Sequence, residues 1–397
     1  MERFESVIAN AIKDVVSDIY ITGGHPMVSR KQGNIQFHPT IKWSHQETDN
    51  LVRRIINPKQ LDVLRERKSV DLAISVSDAR LRINIFTTTR GLSLAIRILP
   101  GHIPSIDELN LHPSLNGIAA LKSGLVLTCG STGVGKTTTI AALINEINNS
   151  RHAHIVTLEN PIEYRFQSNQ AFIQQRELGE HTPSFSQGLL DVLRENPDVI
   201  VVGEMREPET MRLTLDAAES GHLVFATMHA STPEEAIYRL CNSAAIESQN
   251  EIRYQLASTL SWLIVQQLVY IERIGFNVPL LTIVRGTQSV KNVIRENKLN
   301  QLYSAIQTGK NEGMFSSDRY LNEYLETRPK FTPPTLIFRP TAEKIEELLY
   351  RSPLTEDMPQ ALLVKNSSPG SAHEMEQILT IDEDASLQEM INKMEFL

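Results

Sequence analysis

The chain has 397 residues, of which 41% are apolar and 22% charged, a balance typical of globular proteins and unlike disordered or fibrous chains. Its formal net charge is −8 and no basic block offsets it, which disfavours a surface for nucleic-acid phosphates. Two cysteines cannot form a four-thiolate zinc site, and no apolar run reaches the roughly 18 residues that span a bilayer.

The beginning of the chain predicts an amphipathic helix. The stretch MERFESVIANAIKDVVSDIYIT carries acidic residues at positions 2 and 5 and apolar residues at helical spacing. A secretory signal peptide would instead have a basic start followed by a continuous apolar run. We therefore expect the protein in the cytoplasm.

Changes of pattern predict the domain boundaries. Residues 1–100 combine this helix with alternating segments such as residues 81–100, which read as two strands joined by a turn, and predict a small α+β domain. Glycine and proline in GHIPSIDELNL indicate a linker over residues 101–116. From 117 to 285, β-branched runs alternate with helical patterns, which predicts a largely parallel sheet covered by helices. The remaining ranges are a predicted helical subdomain, 286–327, and an extension without an assigned role, 328–397.

A phosphate-loop pattern, G-x-x-x-x-G-K-[ST], lies between the predicted strand GLVLTCG and the predicted helix TTTIAALINEI. Glycines let such a loop wrap around phosphate oxygens, while backbone N–H groups and the helix N-terminus attract the anion. The lysine would reach the β- and γ-phosphates of ATP, and the threonine after it would bind Mg²⁺. A plain glycine-rich turn is the alternative. The residues predicted to bind the nucleotide are Gly130, Ser131, Thr132, Gly133, Val134, Gly135, Lys136, Thr137 and Thr138.

Two acidic residues bracket the predicted strand DVIVVGE. Asp198 and Glu204 would lie roughly 20 Å apart on an extended chain, so only one can face the nucleotide. Ligands bind at the carboxyl ends of parallel strands, which favours Glu204 as the base that activates the attacking water. It would lie beside the phosphate loop if the two strands are neighbours. The alternative is a solvated glutamate after a strand.

A second pair of carboxylates flanks the Asn160-Pro161 turn in TLENPIEY. Glu159 ends the predicted strand HIVTLE, and Glu163 follows the turn. Two carboxylates held by a turn could hold metal-bound water, so Thr137, Glu159 and Glu163 are the predicted Mg²⁺ ligands. Solvated glutamates around a turn are the alternative.

Two histidines bracket the strand in GHLVFATMH. His222 and His229 would lie about 23 Å apart, too far to share a metal within one subunit. His229 lies at the carboxyl end, where it could sense the γ-phosphate. His222 would face another surface or a neighbouring subunit.

These segments, in this order, resemble the secretion-superfamily motor ATPases, most closely the type IV pilus retraction branch. The resemblance covers about residues 1–327 and is carried by GSTGVGKTT, LENPIE, QREL and DVIVVGEMREPETMRLTLDAAESGHLVFATMH. It implies a RecA-like P-loop core with a mainly parallel sheet, a small PAS-like α+β domain before it and a helical region after it. It also implies a homohexamer that uses ATP and Mg²⁺, with Glu204 in catalysis, Glu163 supporting water and metal, and His222 and His229 in coupling.

The same resemblance implies that arginines of the N-terminal domain help to complete the nucleotide site between subunits. Arg82, Arg90 and Arg97 stand in the matching hairpin. A guanidinium that neutralises γ-phosphate charge only when domains close would link hydrolysis to ring geometry, so Arg82 and Arg97 are predicted to be catalytic. Solvated arginines on an edge hairpin are the alternative. Arg194 and Arg206 flank the DVIVVGE strand and are secondary candidates.

The direction of work is also implied by resemblance. SVKNVIREN and YSAIQTG are similar to segments of the retraction branch, and two cysteines exclude the four-cysteine zinc site that assembly motors usually carry. The resemblance implies a motor at the inner face of the cytoplasmic membrane, without a membrane-spanning segment of its own. There it would press on an inner-membrane pilus platform protein, with a paralogous pilus ATPase as a further candidate partner and no nucleic acid.

The sequence departs from the family pattern in three places, and these leave other functions open. Asn160 stands where the family usually has aspartate, which removes a charge that could order Mg²⁺-bound water. Val290 and Lys291 alter the retraction segment, and the region after residue 327 has no counterpart in the resemblance. The alternatives are an assembly, secretion or conjugation motor of the same superfamily, an accessory ring subunit with weak catalysis, and a nucleic-acid translocase, which the charge disfavours.

Overall fold

A computed structural model describes residues 2–14, 16–31, 34–76, 79–99 and 102–337. All of them belong to one compact unit. The predicted extension lies outside the described residues from residue 338 onward. None of the helices in these ranges is long and apolar enough to cross a membrane.

The first part of the chain forms an antiparallel sheet flanked by helices. Strands β1 to β6 are arranged in the order β3-β2-β1-β6-β5-β4, and β5 and β6 form the predicted hairpin. Side chains alternate along a strand, so Leu81, Ile83 and Ile85 are fully buried while Arg80 and Arg82 lie on the opposite face of β5. The bounds are α1 (Glu2–Lys13), β1 (Asp18–Thr22), β2 (Pro26–Lys31), β3 (Asn34–Lys42), α2 (His45–Ile55), α3 (Pro58–Arg67), β4 (Ser69–Val76), β5 (Ala79–Thr88) and β6 (Gly91–Leu99).

The second sheet is parallel except for its last strand, as the strand and helix alternation predicts. Its order is β13-β12-β7-β11-β10-β8-β9, and only the pairing of β12 with β13 is antiparallel among its described strands. The elements are β7 (Gly124–Cys129), α4 (Lys136–Ser150), β8 (His154–Glu159), β9 (Phe172–Glu177), α5 (Phe185–Val192), β10 (Val199–Val202), α6 (Pro208–Glu219), β11 (Leu223–Met228), α7 (Pro233–Cys241), α8 (Gln249–Thr259), β12 (Leu260–Ile271) and β13 (Phe276–Arg285).

The strand order corrects one expectation. The strand before the phosphate loop, β7, and the strand before Glu204, β10, are not neighbours, because β11 lies between them and pairs with both. All three strands are fully buried apolar runs, and such runs carry no local signal of which strand pairs with which. His229 follows the carboxyl end of β11, and this strand order places it between the phosphate loop and Glu204.

Helices follow the second sheet over most of residues 286–327. They are α9 (Gln288–Arg295), α10 (Leu302–Thr308), α11 (Ser317–Arg319) and a π-helical turn (Tyr320–Leu325), and a further helix, α12 (Pro334–Ile337), follows beyond this range. Short 3₁₀ segments complete the described chain at Pro113–Ala120, Ile246–Ser248, Leu299–Gln301 and Gly309–Glu312. Both cysteines, Cys129 and Cys241, are buried and unpaired.

Candidate functional site

The phosphate loop connects β7 to α4 in a conformation that requires glycine. Gly130, Gly133 and Gly135 have φ angles of 143°, 85° and 93°. A Cβ atom on Gly130 would also lie 2.3 Å from the Gln266 backbone oxygen. The loop can therefore pass close to β12 and turn directly into the helix that starts at Lys136, which is the geometry that presents a helix N-terminus to phosphate.

Lys136 is held at this loop by its own backbone. Its Nζ donates hydrogen bonds to the carbonyl oxygens of Gly130 and Ser131, at 2.7 and 2.9 Å. Burial lowers the pKa of Lys136, and the Glu204 carboxylate opposes that change. The ammonium is thus placed over the loop, close enough to Glu204 for the two charges to interact.

A residue that the sequence analysis missed braces the loop from behind. Gln266 on β12 is 2% exposed. Its Nε2 donates to the Val134 carbonyl at 2.6 Å, and its Oε1 accepts from the Thr139 hydroxyl at 2.7 Å. The sequence does carry a signal for it, because this glutamine interrupts the apolar run TLSWLIVQQLVYI.

Replacing Gln266 with alanine is expected to loosen the loop. The change leaves the Val134 carbonyl and the Thr139 hydroxyl without their buried partner, which costs about 2–4 kcal/mol of the free energy of unfolding. We expect the Kd for ADP, measured by calorimetry, to rise about tenfold, since distortion worth about 1.4 kcal/mol is tenfold in binding. The matched control is Gln267→Ala, at the exposed next position. Equal effects of the two substitutions would contradict the bracing role.

Glu204 lies beyond the carboxyl end of β10 and contacts one residue of its own segment and one that follows β11. Its Oε2 is 2.7 Å from Arg206 Nη2, and its Oε1 is 2.8 Å from His229 Nε2. Burial raises the pKa of Glu204, but Arg206, His229 and Lys136 together outweigh it and hold that pKa below its usual range. The carboxylate is therefore ionised at neutral pH, as a general base must be.

The opposite ends of these strands face away from the loop. Asp198 precedes β10 and accepts a hydrogen bond from the His154 backbone at 2.8 Å. His222 precedes β11, where its Nδ1 lies 3.0 Å from the Ala217 carbonyl. The structure thus brings His229, and not His222, to Glu204. Arg194 is exposed, and among the described residues no hydrogen bond or ion pair joins it to this cluster.

The two carboxylates of the acidic turn have different environments. Glu159 is buried and accepts hydrogen bonds from the Thr157 hydroxyl at 2.7 Å and the Gln175 amide at 3.1 Å. Burial raises the pKa of Glu159 to about 7, despite these two hydrogen bonds. Glu163 instead forms an ion pair with Arg82, with 2.7 Å between Oε1 and Nη1. The turn therefore carries one carboxyl that titrates near neutral pH and one that forms an ion pair with the antiparallel sheet.

The raised pKa of Glu159 predicts a pH-dependent gain in the variant Glu159→Gln. Between the ordinary carboxyl pKa and about 7, the unfolded chain releases a proton that the folded chain keeps, so wild-type stability falls as pH rises through this window. Glutamine keeps both acceptor contacts without this loss. The variant should match the wild type near pH 4 and exceed it at pH 8 by up to about 3 kcal/mol. Urea unfolding at both pH values, with chelator and without nucleotide, checks this; a difference that does not change with pH would contradict it.

The predicted arginines are engaged away from the phosphate loop. Arg97 lies opposite Arg82 in the β5–β6 register, and its Nε is 2.9 Å from Asp18 Oδ1. Arg90 lies at the exposed turn of the hairpin. Among the described residues, none of the three forms a hydrogen bond or ion pair with the loop. Their catalytic role remains a prediction that concerns the assembled ring.

Several residues fit a magnesium ion bound together with phosphate. No group of three or more His, Cys, Asp or Glu side chains in the described ranges is arranged to hold a metal by itself. Mg²⁺ in nucleotide sites takes most of its ligands from water and phosphate, so such a group is not required. Thr137 is exposed at the start of α4, and buried Glu204 Oε1 accepts no well-aligned hydrogen bond in the described chain. The Thr137 hydroxyl therefore suits a hydrated ion, and Glu204 lies at the same strand ends, where Arg206 and His229 flank its carboxylate. Glu159 and Glu163 are engaged by Thr157, Gln175 and Arg82.

The glycine-rich loop, the partly buried lysine and the glutamate beyond the ends of parallel strands define an ATP hydrolase. The family described as "Type II/IV secretion system protein" matches residues 2–307, and the chain belongs to this family. The uncharacterized protein YggR of Escherichia coli is 38% identical over 79% of this chain and 95% of its own length. The "Type IV pilus retractation ATPase PilT" of Pseudomonas aeruginosa is 37% identical over 79% of this chain and 92% of its own.

A solved structure shows the same architecture. The pilus retraction motor PilT with bound ADP superposes with a TM-score of 0.74 at 34% identity, covering 86% of this chain and 98% of that one. The resemblance inferred from four motifs is confirmed by these comparisons. It extends over nearly the whole length of the relatives, including the antiparallel sheet before the phosphate loop.

Proposed function

We propose that this chain is the subunit of a ring-shaped motor that uses ATP hydrolysis to retract a type IV pilus or a closely related filament. The observation that carries the proposal is the similarity to retraction ATPases over more than nine-tenths of their length. In this proposal the parallel sheet is a RecA-like core, and the antiparallel sheet of residues 2–99 is the PAS-like domain that moves against it.

The chemistry follows from the charges at the strand ends. The loop backbone and Lys136 bind the β- and γ-phosphates, and Glu204 accepts a proton from the attacking water. His229 contacts Glu204 directly and can report the state of the γ-phosphate to the carboxylate. Bound Mg²⁺, held by Thr137 and ordered by nearby carboxylates, would neutralise phosphate charge.

The two arginines predicted to be catalytic would act between subunits of the ring. Arg82 and Arg97 would leave Glu163 and Asp18 to approach a nucleotide when domains close, so that hydrolysis depends on the arrangement of six subunits. The ring would act at the cytoplasmic face of the membrane on a platform protein, with or without a paralogous ATPase. Force on the filament then comes from the relative motion of the two sheets.

Pilus dynamics in living cells test the direction of work. In a strain that carries Glu204→Gln, we expect pili to form normally and to accumulate because retraction events are lost. The matched control is Glu247→Gln, a similar change at an exposed position away from the site. Loss of surface pili in the Glu204 variant would contradict retraction and favour an assembly motor.

A second candidate is an accessory subunit with weak catalysis, and Asn160 is the observation that favours it. This exposed side chain supplies no carboxylate at the acidic turn. Steady-state phosphate release from the purified protein separates the two candidates. Wild-type turnover no faster than that of Glu204→Gln would favour the accessory subunit.

A further inference from the structure

The acidic turn touches the phosphate-loop helix through a tyrosine. Tyr164 is 5% exposed, and its hydroxyl donates a hydrogen bond to Thr138 Oγ1 at 2.9 Å. Burial raises the pKa of Tyr164 to about 12, so the phenol keeps its proton at neutral pH. Thr138 follows Thr137 in the first turn of α4, and the bond therefore bears directly on the end of the helix that faces phosphate.

The QREL motif, which the phosphate chemistry leaves unexplained, braces the same turn. Gln175 on β9 donates to the Tyr164 carbonyl at 2.8 Å and accepts from the Phe166 backbone at 3.0 Å. Glu177 accepts from the Ile162 backbone at 3.0 Å. The motif thus fixes the main chain on both sides of Glu163, and with it the direction of the Tyr164 side chain.

The N-terminal domain holds the turn from the other side. Arg80 is 8% exposed, and its Nε and Nη2 both donate to the Ile162 carbonyl, at 3.3 and 3.1 Å. Arg82, on the same face of β5, binds Glu163. The turn is therefore shared between two bodies: β9 anchors it to the parallel sheet, and β5 anchors it to the antiparallel sheet.

We propose that Tyr164 is a positioning residue that couples two regions. When the N-terminal domain is docked on the acidic turn, the Tyr164 hydroxyl orders the phosphate loop. While Arg80 and Arg82 hold the turn, the Tyr164 hydroxyl fixes Thr138 and the first turn of α4. When the domain moves away, the turn loses half of its anchors and the hydrogen bond to Thr138 weakens. Domain position thereby changes the order of the loop, and this consequence for turnover rests on the proposed ATP hydrolysis.

Hydrogen–deuterium exchange of the nucleotide-free, full-length protein tests the positioning without relying on activity. Tyr164→Phe removes only the hydroxyl, and we expect amides 139–142, the first of α4 with an intrahelical acceptor, to exchange about three- to tenfold faster, the equivalent of one neutral hydrogen bond. Arg80→Gln should produce a similar increase, and the double variant should be no faster than either single one. The matched control, Tyr238→Phe on the exposed face of α7, should leave these amides unchanged.

A second variant and a second readout complete the test. Thr138→Val removes the acceptor of the same bond without disturbing the packed tyrosine ring, and should reproduce the exchange pattern. In steady-state assays, Tyr164→Phe should lower kcat about fivefold, and the Kd for ADP should rise less than the tenfold expected of Gln266→Ala, because one hydrogen bond is lost and not two. Unchanged exchange at amides 139–142, or increases from Arg80→Gln and Tyr164→Phe that multiply in the double variant, would overturn the inference. The expected exchange pattern in a protein without ATP turnover would instead contradict only the proposed function.

Discussion

Replacement of Glu204 with glutamine is expected to reduce kcat for ATP hydrolysis by about 10²–10⁴-fold, the usual contribution of a general base. Glutamine has the same size and keeps one acceptor oxygen for Arg206, so the site should remain folded. It cannot accept a proton from water, so bound ATP persists. The Kd for ATP should change by less than about threefold, because the phosphates are bound by the loop and Lys136.

Phosphate release under saturating ATP measures the first quantity, and calorimetry with a non-hydrolysable analogue measures the second. Glu247→Gln serves as the control for a lost surface charge. The lowered pKa of Glu204 also predicts that the acid limb of the wild-type rate profile lies at lower pH than an ordinary glutamate would give. Turnover of the glutamine variant within tenfold of the wild type would rule out Glu204 as the base.

Lys136→Ala is expected to remove ATP binding as well as turnover. The ammonium is the cation placed over the loop, with two carbonyl partners that ATP phosphates can replace. Loss of two charge-assisted hydrogen bonds corresponds to at least about a hundredfold weaker binding. Calorimetry with ATP and Mg²⁺ measures this loss.

Lys122→Ala is the matched control, because Lys122 is exposed and its replacement removes one positive charge away from the loop. Both variants should unfold at similar temperatures, because Lys136 contributes only bonds to loop carbonyls. ATP binding by Lys136→Ala within tenfold of the wild type would show that the loop does not use this lysine.

Features encoded by local patterns were predictable from the sequence. The phosphate loop, the strands around it and the residues at the carboxyl ends of β10 and β11 all follow from short runs of residues and from the geometry of extended chain. Glu204 and His229 could therefore be selected over Asp198 and His222. The contact between Glu204 and His229 could not be predicted, because it depends on the order of strands in the sheet.

The residues that were missed act over long sequence separations. Gln266 bonds to Val134 across 132 positions, and Arg80 bonds to Ile162 across 82. The glutamine stands in an apolar run and the arginine in a hairpin, and both patterns are visible in the sequence. Neither pattern indicates which distant residue the side chain will contact. Tyr164 likewise has no local signal of its role, because its partner Thr138 lies 26 positions away.

The central claim is that the segment from Gly130 to Thr137 binds the phosphates of ATP. Calorimetric titration of the purified full-length protein with a non-hydrolysable ATP analogue and Mg²⁺ tests it most directly. We expect saturable binding with a Kd in the range of about 1 μM to 1 mM. Absence of binding at millimolar analogue would contradict the account, because the loop would then have no ligand to position and Glu204 no bond to hydrolyse.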